Sequence, residues 1–331
     1  MATNRAVDIY RDLAADNPAA FEPDFAGSLV NLGDRLGLVG QHEEAMAVAD
    51  QAVGIFRRLA AADSAAFGHA LAASLSNLGI RLSGMDRHEE ALAVTREALG
   101  FLRQLAAADP GAFERDFTAS LSNLGTRLSD LGRRKEALAP INEAVNIYRR
   151  LAATKPAVFK PDLARSLNNL GVLLFSADRR EEALSITGEA VDIYREAAAA
   201  NPAAHEPELA RSLNNLGVFL INATRHAEAL AATGEAVEIY RRLATDQPGA
   251  FRPDLAKALA GFAWVRTVAH AELQQALTAV QESINCYELL AARCSPAFVS
   301  GLRNVLVTAA DVFDQLGRPE EAAATRRRIA G

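Results

Sequence analysis

Apolar side chains recur at spacings of three and four residues along almost the whole chain, interrupted by short breaks rich in Pro, Gly, Asn and Asp. That period predicts amphipathic α-helices rather than strands. The stretch from Leu163 to Leu174 shows the pattern: Leu163, Leu167, Leu170, Gly171 and Leu174 share one face, while Arg165, Asn168 and Asn169 lie on others. A second helix is expected from about Glu181, through Ala183, Leu184, Ala190, Ile193 and Tyr194, to Ala200. It stops at Asn201-Pro202, because proline does not continue a helix and restrains the residue before it. The break between the two helices, Ala177-Asp178-Arg179, has counterparts at Gly40, Asp86 and Gly132, residue types that tolerate a left-handed cap. In this reading Phe159 lies in a loop, and Pro161-Asp162 opens the next helix with a first-turn proline and an acid that suits the helix N-terminus.

The pattern repeats. Asn-Leu-Gly stands at Asn31, Asn77, Asn123, Asn169 and Asn215, each 46 residues after the last, and a constant period of this length predicts a solenoid of stacked helix pairs. The helix stops keep the same register at Asn17-Pro18, Asp109-Pro110, Lys155-Pro156, Asn201-Pro202 and Gln247-Pro248. So do Phe21, Phe67, Phe113, Phe159 and Phe251, which are expected to plug the joints between hairpins. Because a repeat array grows in one dimension, residues 1–331 are expected to form one domain. Within it, residues 1–20 read as a half repeat, residues 21–250 as five regular repeats, and residues 251–331 as a degenerate repeat with a C-terminal capping hairpin. Val7-Asp8-Ile9-Tyr10-Arg11 matches Val191-Asp192-Ile193-Tyr194-Arg195, so the first helix is a second-of-pair helix with no partner before it. Either the chain is a fragment, or another subunit covers that face.

These residues resemble the tetratricopeptide repeat in its longer-helix form, as in kinesin light chains and many bacterial multidomain signalling proteins. Leu170, Gly171, Leu174, Ala183 and Ala190 occupy the family's seventh, eighth, eleventh, twentieth and twenty-seventh positions, and Leu124, Gly125, Leu128, Ala137 and Ala144 do so one repeat earlier. The family's fourth-position Trp is Leu here, at Leu29, Leu75, Leu121, Leu167 and Leu213, and its twenty-fourth-position aromatic is small or polar. The resemblance implies an all-α fold, a right-handed α-α superhelix of antiparallel helix hairpins. Gly171 and its equivalents are then the places where the two helices of a hairpin cross closely, faced by Ala183 and Ala190.

The resemblance also implies a concave face lined by the first helix of each pair, at the second, fifth, sixth, ninth, twelfth and thirteenth positions. That nominates Arg165, Arg211 and Lys257; Asn168 and Asn214; and the row Asn31, Asn77, Asn123, Asn169 and Asn215. A row of carboxamides offers donors and acceptors to the backbone of an extended peptide whatever its side chains. Val172, Phe175, Val218, Ile221 and Trp264 would add apolar contact beside the cations, the mixture found at binding hot spots. The same residues have plainer roles open to them: the carboxamides satisfying neighbours, and Val172, Phe175 and Trp264 packing between adjacent helices. Asn123, Arg165 and Asn169 match three places of the clamp by which some family members hold an acidic C-terminus, but Ser76 and Ile80 stand where it needs Lys and Asn.

Composition narrows the function classes. A formal charge of −6 argues against a nucleic-acid partner, whose phosphates require clustered Lys and Arg. The Arg326-Arg327-Arg328 triplet is read as helix-end cations that suit the dipole. No apolar run reaches the length of a membrane span, and the N-terminal residues lack the apolar core of a secretory signal, so a cytoplasmic protein with no membrane partner is expected. Cys286 and Cys294 form neither a zinc pattern nor a redox pair. His42-Glu43-Glu44 and His88-Glu89-Glu90 start like a zincin helix without its second His, and phosphate-loop and nucleophile-elbow motifs are absent from the sequence. No enzyme activity, cofactor or metal is therefore expected. The leading reading is a scaffold that binds a peptide or protein. The alternatives are a regulatory or sensor segment of a larger bacterial signalling or effector protein, and a homo-oligomerisation module that self-associates through its N-terminal helix.

Overall fold

The computed structural model describes residues 2–38, 41–291 and 297–330. Among the described residues there are fifteen α-helices and no strand. The chain divides into two compact units, Met1–Ile147 and Tyr148–Gly331. The first contains α1 (Ala2–Asp16), α2 (Pro18–Leu38), α3 (His42–Ala62), α4 (Ser64–Gly84), α5 (His88–Ala108), α6 (Pro110–Asp130) and most of α7 (Arg134–Thr154). The second contains the rest of α7, α8 (Pro156–Ser176), α9 (Arg180–Ala200), α10 (Pro202–Asn222), α11 (His226–Asp246), α12 (Pro248–Val268), α13 (Leu273–Ala291), α14 (Ala297–Gln315) and α15 (Pro319–Ala330). Within each unit, helices adjacent in sequence pack as hairpins, α2 on α3 and α8 on α9 for example, and in the second unit α10 also touches α8 and α12. This is the all-α solenoid packing implied by the 46-residue period.

One boundary differs from the sequence reading. From α2 to α12 every helix is 21 residues long, because the helix expected to open at Pro161 already begins at Pro156. A single extended residue, Asp63, Asp109, Lys155, Asn201 or Gln247, separates one hairpin from the next. The prolines after four of these residues do not merely stop a helix; they occupy the first positions of the following one, where the missing N–H costs nothing. Asp63 Oδ1 accepts from the Ala66 amide at 3.0 Å, and Asp109 Oδ1 accepts from Ala112 at 3.1 Å, capping α4 and α6. The phenylalanines read as loop plugs therefore lie in first turns of helices; Phe21 and Phe67 are partly buried against the core, and the Phe113 ring sits 5.2 Å from that of His69. Pro161 and Pro207 fall inside α8 and α10, and buried tyrosines lean on them: Tyr194 donates to the Pro161 carbonyl at 3.2 Å and Tyr240 to the Pro207 carbonyl at 2.9 Å.

The turns inside hairpins follow the sequence reading. Asp86, Gly132 and Asp178 adopt φ values of 57°, 71° and 61°, and Thr224 joins them at 59°; Gly40 lies outside the described residues. Arginines after these turns fork onto glutamates three residues on, as Arg87 does onto Glu90 and Arg179 onto Glu182, both at 2.6 Å. The close crossing at Gly171 is present, but the side chain facing it is Thr187, with the Ala183 carbonyl behind. A Cβ at Gly171, Gly125 or Gly217 would overlap Thr187, Ile141 or Thr233 respectively, whereas at Gly33 the nearest atom, Val48 Cγ2, would be 3.2 Å away. The twenty-fourth position thus fills the space left by glycine, with Thr187 and Thr233 as the expected small or polar residue but with the larger, apolar Ile141 opposite Gly125.

Both ends are polar outside. On α1, Val7 and Ala14 are buried, and the exposed side carries Arg5, Asp8, Ile9, Arg11, Asp12, Ala15 and Asp16, of which Ile9 and Ala15 are apolar. At the other end Arg326 pairs with Asp314, and Arg328 with Glu288 at 2.6 Å, so two members of the arginine triplet serve local ion pairs.

Candidate binding face

The residues nominated for the binding face lie on α2, α4, α6, α8, α10 and α12, and in the second unit the structure sorts them into three groups. Asn77 and Asn123, on α4 and α6 of the first unit, are half-buried, while Asn31 on α2 is exposed beside a cleft edged by Tyr10 and Asp24. The second unit brings the remaining ones together on α8, α10 and α12.

The first group there has turned inward. Asn168 is only 1% exposed, and its Oδ1 accepts from Asn215 Nδ2 at 3.2 Å, so the fifth position of one repeat is stitched to the sixth position of the next. One repeat later Gly261 stands at the place of Asn215, and half-buried Asn214 points its Oδ1 there without a hydrogen-bond partner among the described residues; a Cβ at Gly261 would come within 2.5 Å of that oxygen. Phe175 stacks on Phe219 at a centroid separation of 4.3 Å and packs neighbouring helices. Asn168 and Phe175 are thus joints between hairpins, Ile221 is buried, and Asn214 is half-buried.

A second group stays at the surface. Val172 is 41% exposed, Val268 is 42% exposed, and Asn169, Asn215, Val218 and Trp264 are half-buried. Asn169 and Asn215, and likewise Val172, Val218 and Trp264, sit at one phase of successive helices, so carboxamides and apolar side chains run as two neighbouring rows across this unit.

The third group is charged, and each cation has an acid one turn before it. Arg165 Nη2 lies 2.9 Å from Asp162 Oδ1, Arg211 Nε donates to Glu208 at 2.9 Å, and Lys257 follows Asp254 at the same i,i+3 spacing. Burial works against the Arg211 charge, but Glu208 more than restores it and holds the guanidinium above its ordinary pKa. Burial raises Asp254, with Lys257 and Arg211 pulling the other way. Desolvation also raises the buried Tyr194 and Tyr240 hydroxyls, so both remain donors. The acids Asp162, Glu208 and Asp254 were missed as part of this face; the i,i+3 spacing to the cations was the signal in the sequence that points to them.

Among the described residues, no group of three His, Cys, Asp or Glu side chains is placed to hold a metal, and no helix is long and apolar enough to cross a membrane. Cys286 is half-buried, its thiol pKa raised by burial; Cys294 lies outside the described residues.

Stacked antiparallel hairpins with a glycine at each crossing define a helical-repeat protein. The tetratricopeptide-repeat family model matches residues 71–109, 118–152, 163–202 and 209–248, so these stretches of the chain are tetratricopeptide repeats. No curated protein sequence matches it. Solved structures of similar fold include BtubC (BKLC) from P. vanneervenii, at 19% identity and a TM-score of 0.57 over 73% of this chain and 89% of that one. A Rap protein complexed with competence and sporulation factor is similar at 15% identity and a TM-score of 0.65, over 98% of this chain and 78% of the other. The Rap conjugation gene regulator of plasmid pLS20, in complex with the Phr* peptide, shows 14% identity and a TM-score of 0.60 over 96% and 77%.

Proposed function

We propose that this chain is a protein-interaction scaffold whose second unit holds an extended peptide, or an extended segment of a partner protein, against α8, α10 and α12. The observation that carries this reading is the pair of rows in that unit: the Asn169 and Asn215 carboxamides beside the partly exposed Val172, Val218 and Trp264. Carboxamides at a fixed repeat pair with a peptide backbone irrespective of its sequence, and an adjacent apolar row supplies the contact area. Asn168 and Phe175 take no part, since their side chains are spent between hairpins, while Asn215, whose Nδ2 donates to Asn168, offers its Oδ1 to a peptide N–H. The Rap regulator bound to a peptide supports the reading by its fold and its ligand, and its role as a gene regulator favours a regulatory chain as the second reading.

The test is the triple substitution Asn169→Ala, Asn215→Ala, Trp264→Ala. Partners captured by the parent protein, and peptides selected on it, should lose about tenfold or more in affinity, as for loss of central interface residues. The far-ultraviolet circular dichroism should stay unchanged. Undiminished binding by the folded variant would remove the face from consideration.

A further inference from the structure

The three cations of this face would ordinarily suggest an acidic ligand. The geometry points to the opposite: we infer that the second unit selects an extended segment with uncharged, apolar side chains, because its own carboxylates already hold Arg165 and Arg211 and stand one turn from Lys257. The inference rests on the binding face proposed above and names the class of ligand that face takes.

The argument starts from spacing. Asp162 and Arg165, Glu208 and Arg211, and Asp254 and Lys257 are i,i+3 pairs on three successive inner helices, so each cation meets an acid one turn away on the same face. In two of the pairs the contact is direct, at 2.9 Å. Asp162 is 6% exposed and does not swing away into solvent to make room. An incoming carboxylate would have to compete with an acid that is tethered in place, and an intramolecular partner competes at the high effective concentration of a short link. Displacing it would also part Asp162 or Glu208 from the cation that compensates it in a partly desolvated setting, a cost larger than an exposed ion pair returns.

The remaining surface is uncharged. Asn169 and Asn215 bind backbone without regard to charge, and the ninth-position row is Val172, Val218 and Trp264, with no ionisable group. In the first unit the same register position holds Asp34, Ile80 and Thr126, so the continuous apolar row belongs to the second unit. A ligand that complements it has main-chain groups free and apolar side chains on one side, and its affinity is insensitive to salt, since compensated charges exert little field at a distance.

A random dodecapeptide display library, selected on the full chain, tests this. Sequences recovered on the parent protein should be enriched in Leu, Ile, Phe and Met and depleted in Asp and Glu. On the isosteric double variant Asp162→Asn, Glu208→Gln, which frees both arginines without changing side-chain volume, recovered sequences should shift to acidic ones, and a matched acidic peptide should gain on the order of tenfold in affinity. Trp264 is the only tryptophan of the chain, so its emission reports directly whether the selected peptides reach this face. Acidic enrichment already on the parent protein would overturn the inference while leaving the binding face standing. Apolar enrichment unchanged in the double variant would overturn it as well, because the pairs would then not set the preference. Selection equally strong on Asn169→Ala, Asn215→Ala, or no selection at all, would overturn the binding face itself.

Discussion

At the scale of single residues, the glycine of each Asn-Leu-Gly is decided by what faces it. Opposite Gly171 stands Thr187, fully buried, and opposite Gly217 stands Thr233, whose hydroxyl donates to the Ala229 carbonyl at 2.9 Å. Exchanging a mid-helix glycine for alanine gains about 1 kcal/mol of helix propensity. At Gly171 the overlap with Thr187 outweighs that gain, since overpacking costs about 1–3 kcal/mol. Gly171→Ala should therefore lower the melting temperature, and Gly171→Ala with Thr187→Ala should restore it. At Gly33, where Val48 leaves 3.2 Å, the alanine should be close to neutral. A Gly171→Ala protein that melts with the parent would remove the steric account.

At the scale of elements, two devices hold helices to one another. Along the second helices of the pairs an arginine reaches a glutamate of the next hairpin: Arg57 to Glu97 at 2.6 Å, Arg149 to Glu189 at 2.7 Å and Arg195 to Glu235 at 2.9 Å. These pairs are solvent-exposed and contribute only about 0.2–1 kcal/mol each. Glu189 and Glu235 are thus solvent-exposed and paired at once. The second device is the tyrosine that leans on an inner-helix proline. Tyr240→Phe leaves the half-buried Pro207 carbonyl without its 2.9 Å donor and should cost about 1 kcal/mol, seen as an earlier thermal melt. No change would mean that water replaces the hydroxyl.

At the scale of the molecule, the energetics are those of an array: helices pack chiefly on their sequence neighbours, so stability is approximately a sum of hairpin terms and nearest-neighbour terms. Deleting one period, residues 163–208, joins Asp162 to Leu209 in the register that Glu208 now holds. The shortened protein should fold with unchanged ellipticity per residue and a cooperative melt. Loss of helicity would show that the second unit needs its full set of hairpins.

The sequence by itself determined the repeat. The 46-residue recurrence of Asn-Leu-Gly, the three-four apolar stripe and the left-handed turn residues at Asp86, Gly132 and Asp178 were legible because period and turn chemistry are local properties of the chain. The helix start at Pro156 was misplaced for an equally local reason, since a proline reads alike as a stop and as a first turn. What the tertiary structure alone decided was the use of side chains that look alike in sequence. Asn168 and Asn169 are neighbours of one type, yet the first is locked to Asn215 and the second is left at the surface, because only the approach of α10 to α8 determines which carboxamide finds a partner.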